Sequence, residues 1–187
     1  MTLIYEPEED SFLLKEVIEK KVPLLIKKNE LIKVLEIGVG SGIQLKTFFN
    51  VGVKRENIFG VDINKDAVLH CKNLGFNCFE SDLFSKVKEK FDLIIFNPPY
   101  LPTDENESED SRLITTGGKN GSEVINLFLK DAKNYLNKDG RIFLLVSSLS
   151  KKIDWRRYEK KLLGKKKIFF EELKVYELKR IKNIKKN

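Results

Sequence analysis

The sequence predicts an α/β fold built on a doubly wound, mostly parallel sheet of seven strands. Short, nearly continuous apolar runs at 31–37, 57–63, 76–80, 91–97 and 141–146 read as strands covered on both faces. Helical stretches at 43–50, 64–73 and 122–136 lie among them, so the crossovers place the early strands parallel with helices on both sides. The strands also end in chemically distinctive corners: a glycine loop at 38–42, Asp62, Asp82 and Asn97. Ligands bind at that carboxyl rim in open α/β sheets.

With 187 residues, 41% of them apolar, the chain fits one globular domain over 1–187, in which 1–30 is a helical lead-in. No apolar run reaches membrane-spanning length, and no basic-then-apolar segment follows Met1, so a cytoplasmic protein is expected. His70, Cys71 and Cys78 are too few and wrongly spaced for zinc; reduced thiols and no metal site are expected. The net charge of +7 is uneven. Residues 150–187 hold 15 Lys and Arg against 5 Asp and Glu, a balance of +10, which leaves −3 for the rest. A basic last quarter is suited to RNA or an RNA-bound partner. Its charges alternate with Leu, Ile, Phe and Tyr, however, as the solvated faces of helices and strands do.

At the start, Tyr5-Glu6-Pro7-Glu8-Glu9-Asp10-Ser11 precedes Phe12, Leu13, Val17 and Ile18 at helical spacing. The acids suit a helix N-terminus, where they complement the dipole and cap free N–H groups. Tyr-Glu-Pro lies outside the helix, as a positioned rather than a frayed end would. Pro23 opens a second short apolar stretch.

The strand at 31–37 runs into Gly38-Val39-Gly40-Ser41-Gly42, where glycines admit positive φ and let a ligand approach the backbone. The G-x-G-x-G pattern differs from the G-x-G-x-x-G of dinucleotide folds, and Glu36 beside it repels phosphate and attracts an ammonium group. Asp62 closes the second strand 24 positions beyond Gly38, near the spacing at which an acid meets ribose hydroxyls; the rival role is a cap on the following helix. Asp82, after the third strand, is placed either to accept from an exocyclic amine, with Leu83 on an adenine face, or to cap.

The fourth strand stops at Asn97 because Pro98 and Pro99 cannot donate to a ladder. An amide side chain is thereby fixed at the rim, beside a rigid turn and the aromatic Tyr100. An amide or exocyclic NH2 is a poor nucleophile that needs acceptors as its N–H bonds acidify. Asn97 Oδ1 and the Pro98 carbonyl are two such acceptors, and Tyr100 covers a flat group. The competing reading is an ordinary Asx-Pro turn.

Beyond Tyr100, five carboxylates fall within residues 104–110, a long polar loop off the same rim that repels a phosphate backbone and suits a basic protein. Gly117-Gly118 through Gly121 reads as a turn opening the helix at 122–136, and Asp139-Gly140 as a second turn. Residues 150–163 are expected to be helical, with Trp155 packing, and 168–173 and 174–178 to form the last two strands.

In this order the motifs resemble those of the class I S-adenosylmethionine-dependent methyltransferases, over about Tyr5 to Val146. The closest likeness is to the short archaeal and eukaryotic release-factor glutamine N5-methyltransferases, relatives of the HemK/PrmC enzymes. It rests on Tyr5-Glu6-Pro7-Glu8-Glu9-Asp10-Ser11, Val34-Leu35-Glu36-Ile37-Gly38-Val39-Gly40-Ser41-Gly42, Asp62-Ile63-Asn64, Phe96-Asn97-Pro98-Pro99-Tyr100 and Gly117-Gly118-Lys119-Asn120-Gly121.

The resemblance implies a Rossmann-like sheet whose last strand pair is antiparallel, and S-adenosylmethionine as cofactor. Ser11, Glu36, Gly38, Gly40, Gly42, Asp62, Asp82, Leu83 and Asn97 would line it: Glu36 at the methionyl amine, Asp62 on the ribose, Asp82 and Leu83 on the adenine. Asn97, Pro98, Pro99 and Tyr100 would hold the substrate, with Asn97, Pro98 and Tyr100 catalytic. The implied substrate is the Gly-Gly-Gln glutamine of a class 1 translation release factor, and the implied partner a small zinc-binding activator subunit. Ser11 stands where the family often has Thr, and nothing here matches the N-terminal helical domain of the bacterial enzymes. An exocyclic adenine or guanine amine in DNA or RNA is the alternative acceptor, since it resembles an amide to such a corner. The acidic loop weighs against nucleic acid there.

Overall fold

The computed structural model describes residues 4–103 and 115–181. Helices α1 (Glu9–Ile26), α2 (Ile43–Asn50), α3 (Lys65–Asn73) and α4 (Glu123–Ala132) accompany strands β1 (Val34–Ile37), β2 (Ile58–Asp62), β3 (Asn77–Glu80), β4 (Phe91–Phe96), β5 (Leu136–Ser147), β6 (Tyr158–Ile168) and β7 (Glu171–Arg180). They form one seven-stranded sheet in the order β3-β2-β1-β4-β5-β7-β6. β1 through β5 are mutually parallel, and β7 is antiparallel to both β5 and β6. The predicted doubly wound sheet with an antiparallel last pair is present.

Alternation along β4 shows why its sequence is apolar throughout. Leu93 and Ile95 face one core with α1, α2 and α3, while Ile94 and Phe96 face a second core with α4. The chain leaves β1 towards β2 and β3 on one side and returns to β4 on the other. That reversal opens a crevice beyond the carboxyl ends of β1 and β4, the place where this architecture binds ligands.

Three stretches depart from the sequence reading. Residues 158–163, expected in a helix, belong to β6, which pairs with β7 from Tyr158↔Arg180 to Ile168↔Glu171. Lys, Leu and Glu favour helix locally, and the long-range ladder overrides that preference. Gly164 sits at a register shift in β6, where a Cβ would press to 3.0 Å from Val17 Cγ2 of α1. The last strands are accordingly displaced from 168–173 and 174–178, and the hairpin turns at Phe169-Phe170. Pro23 lies inside α1 rather than opening a new stretch. The turn expected at Asp139-Gly140 is instead absorbed into β5, at the irregularity where Phe91↔Leu136 gives way to Leu93↔Arg141. Trp155 packs edge-on against Tyr176, with centroids 5.6 Å apart. The acidic loop at 104–110 lies outside the described residues.

Candidate active site

A cavity of about 640 Å³ opens over the carboxyl ends of β1, β2 and β4. Its floor is the glycine loop. Gly38, Gly40 and Gly42 have φ of 70°, 45° and 73°, a region that side chains resist. The loop is tied down from β2: Gly38 N donates to Val61 O at 2.8 Å, and Gly40 N to Asp62 Oδ2 at 3.0 Å. Asp62 Oδ1 accepts from Asn64 N at 2.8 Å. The cap on α3 is Asn64, whose side chain accepts from Asp66 N, so Asp62 does not cap that helix. Burial raises the Asp62 carboxyl above its ordinary value, against the pull of these N–H groups. Ser11, Glu36, Gly38, Gly40, Asp62, Asp82 and Leu83 all line the cavity, whereas Gly42 stands behind it as the residue preceding α2.

Glu36 is only 4% exposed, and its Oε2 has no hydrogen-bond partner among the described residues. Burial, then the neighbouring Cys71 thiol and Asp62, hold its carboxyl well above the usual range. A buried acid with vacant lone pairs on a cavity wall fits a cationic donor. Asp82 is exposed at the outer wall, and Leu83 beside it is held at φ 45° with its carbonyl accepting from Ser81 Oγ at 3.0 Å.

Asn97, Pro98, Pro99 and Tyr100 line the same cavity at the end of β4, beside the end of β1. Leu101 N donates to Thr115 O at 2.9 Å, and Ser150 Oγ to Tyr100 O at 2.9 Å, which fixes the turn. A Cβ on Gly117 or Gly121 would strike the backbone oxygens of Pro99 and Tyr100. The 117–121 turn therefore braces this corner from behind.

The sequence did not single out Asp10, which organises the corner. It is 4% exposed and accepts from Asn97 Nδ2 at 3.1 Å, Tyr5 OH at 3.0 Å, Tyr100 OH at 3.3 Å and the Ser11 backbone N–H. Burial first, and then Asp10, push both tyrosine hydroxyls far above their ordinary value, so they remain donors. Asn97 thus presents its NH2 to Asp10, which turns its Oδ1 away from that carboxyl. Asn97 Oδ1 is thereby left buried and without a partner among the described residues. Gln44 was also not anticipated; its Nε2 donates to Ser11 O at 2.8 Å, and among the described residues its buried Oε1 likewise has no partner. Glu8, Glu9 and Asp10 look alike as helix-start acids, and only Tyr-Glu-Pro outside the helix hinted that one of them is held inward.

The sheet order, the single reversed strand and the rim cavity define a class I methyltransferase fold. Residues 72–176 match the family model described as Eco57I restriction-modification methylase. A chain of Methanocaldococcus jannaschii, provisionally named a protein N5-glutamine methyltransferase, is 41% identical over 92% of this chain and 89% of its own length. The eRF1 methyltransferase catalytic subunit mtq2 of Schizosaccharomyces pombe is 32% identical over 79% and 74%. Among solved structures, the E. cuniculi Mtq2–Trm112 complex, described as methylating the eRF1 termination factor, superposes with a TM-score of 0.72. That match covers 95% of this chain and 98% of the other at 24% identity, a likeness of fold. This chain belongs to the protein-glutamine N5-methyltransferase family.

Proposed function

We propose that the chain methylates the side-chain amide of a glutamine in a protein, the Gly-Gly-Gln glutamine of a class 1 translation release factor, with S-adenosylmethionine as donor. The observation that carries this is Asn97 Oδ1, a buried acceptor with no partner among the described residues, oriented by Asp10 in the cavity that Glu36 also lines. The named relatives support the substrate. Unpaired Glu36 Oε2 fits the donor's ammonium group, Ser11, Gly38, Gly40 and Asp62 its amino-acid and ribose parts, and Asp82 with Leu83 its adenine. Gly42 serves by shaping the loop. When bound, the cofactor supplies a methyl group on a positively charged sulfur that leaves readily as a thioether.

The chain's own task is alignment. Asn97 Oδ1 and the Pro98 carbonyl receive the two N–H bonds of the glutamine amide, which turns its nitrogen lone pair towards the cofactor side of the cavity. Pro99 stiffens the turn and Tyr100 covers the amide plane. As the nitrogen gains a bond its protons acidify, and the same two acceptors hold them until one passes to water. One domain over 1–187 performs this, with 1–30 as its lead-in. A small zinc-binding activator subunit completes a cytoplasmic heterodimer in this proposal; the Mtq2–Trm112 assembly supports the partner chain alone. Among the described residues no helix is long and apolar enough to cross a membrane.

Mass spectrometry of a release factor treated with the chain, its activator and S-adenosylmethionine should place one methyl group on the glutamine side chain. An unmodified glutamine, or a methyl group on lysine, would refute the proposal. Asp10→Asn should lower kcat at least tenfold, about 1.4 kcal/mol of barrier, at unchanged cofactor affinity. The variant removes the acceptor that fixes the Asn97 amide; calorimetry alongside initial rates separates the two parameters.

A second reading takes an exocyclic base amine in DNA or RNA at the same corner. The restriction-modification description of the matching family model favours it. Steep loss of substrate binding with added salt would support it.

A further inference from the structure

We infer that the tip of the β6–β7 hairpin, Phe169 and Phe170, is a docking knob that inserts into an apolar pocket of the protein substrate beside the cavity. This rests on the function proposed above and names how the substrate is gripped.

The rings are 86% and 97% exposed, the highest values among the described large apolar side chains, and lie side by side with centroids 6.3 Å apart. Phe169 is held at φ 48°, a conformation that Asn or Gly adopts far more readily in a two-residue hairpin turn. The turn thus exposes two large apolar groups in a local conformation that other residues suit better, which folding alone does not explain.

The tip stands at the functional rim. β7 runs antiparallel to β5, so its first residue, Glu171, lies at the carboxyl end of β5, where Ser147 pairs with Leu173 and Ser148 N donates to Glu172 O at 2.9 Å. Glu171 is close enough to raise the Tyr5 and Tyr100 hydroxyls through its charge, and its Oε1 is itself buried without a partner among the described residues. Lys166 of the hairpin pairs with Glu9, the first residue of α1 and the neighbour of Asp10. A protein that brings a glutamine to Asn97 meets this tip.

The surrounding charge selects the kind of partner. Lys165 and Lys174 share Glu172, and Lys166 pairs with Glu9; with Lys167, four basic residues near the rings stand against the three acids Glu9, Glu171 and Glu172, a balance of +1. An apolar projection whose charged collar is nearly balanced fits an apolar pocket on a protein, rather than a phosphate backbone.

The test is the double substitution F169G/F170N, which puts glycine at the one positive-φ position of the turn and should not lower Tm. With the activator-bound enzyme and folded release factor, KM should rise at least tenfold while kcat and the S-adenosylmethionine Kd stay at wild-type values. An unchanged KM overturns the inference. A loss confined to salt-sensitive nucleic-acid binding would make the rings a base-stacking platform, and loss of a concentration-dependent dimer would assign them to a second copy; either result also overturns it. Failure of the wild-type enzyme to methylate the factor at all is a separate result, seen before any variant is made, and removes the function together with the knob.

Discussion

Asn97→Ala is expected to lower kcat on the release-factor glutamine about a hundredfold, about 2.7 kcal/mol of barrier, the scale for losing one preorganised polar contact to a reacting group. The cause lies in what surrounds the amide. Asp10 binds Asn97 Nδ2, so the buried Oδ1 has no structural partner to lose. Its removal leaves the fold's own hydrogen bonds nearly intact, apart from one of several that Asp10 accepts. Cofactor affinity should change less than threefold, because the charge-matched contact is the Glu36 carboxylate and not the Asn97 amide. Single-turnover rates at saturating cofactor, with Kd measured by calorimetry, separate the two effects. Loss of cofactor binding with retained chemistry would reverse the roles assigned here.

Glu36→Gln should have the opposite pattern: affinity for S-adenosylmethionine falls about thirtyfold, about 2 kcal/mol, the range for a charged hydrogen bond. The ligand-free protein should meanwhile become more stable at neutral pH. The sign follows from the raised carboxyl. In the folded state Glu36 keeps its proton to higher pH than in the unfolded chain, whose value is about 4.3. The stabilisation is complete below that value and is lost as pH rises towards the folded one. Glutamine carries no such proton, so thermal melts of the variant and wild type should diverge in the variant's favour as pH increases from about 4.3. Binding an ammonium group restores the carboxylate and releases a proton. Calorimetry in buffers of different ionisation enthalpy should detect that proton for wild type and not for the variant. A site that lowers stability when empty is a functional site in physical terms.

The parts of this architecture that rest on local chemistry were legible in the sequence. β4 ends at Asn97 because two prolines follow, and β1 runs into a loop whose glycines all take positive φ. The residues proposed from those corners, except Gly42, share one cavity wall. What escaped depends on distant partners. The first part of β6 holds Lys, Leu and Glu that locally favour helix, and it becomes a strand only through its ladder with β7. Asp10 is indistinguishable in sequence from Glu8 and Glu9, yet it alone is buried, because the helix start docks against Asn97 and Tyr100 from residues nearly ninety positions away. The exposed rings at 169–170 were hidden for the same reason: a hairpin turn placed there requires the correct pairing of both strands.

The measurement that tests the central claim most directly is transfer of label from S-adenosylmethionine, with the activator subunit present, to release factor carrying Gly-Gly-Gln or Gly-Gly-Ala, and to total RNA and DNA. Label should enter the Gly-Gly-Gln factor alone. Equal labelling of the Gly-Gly-Ala factor, or labelling of nucleic acid in preference to protein, would contradict assignment of Asn97 to a glutamine amide.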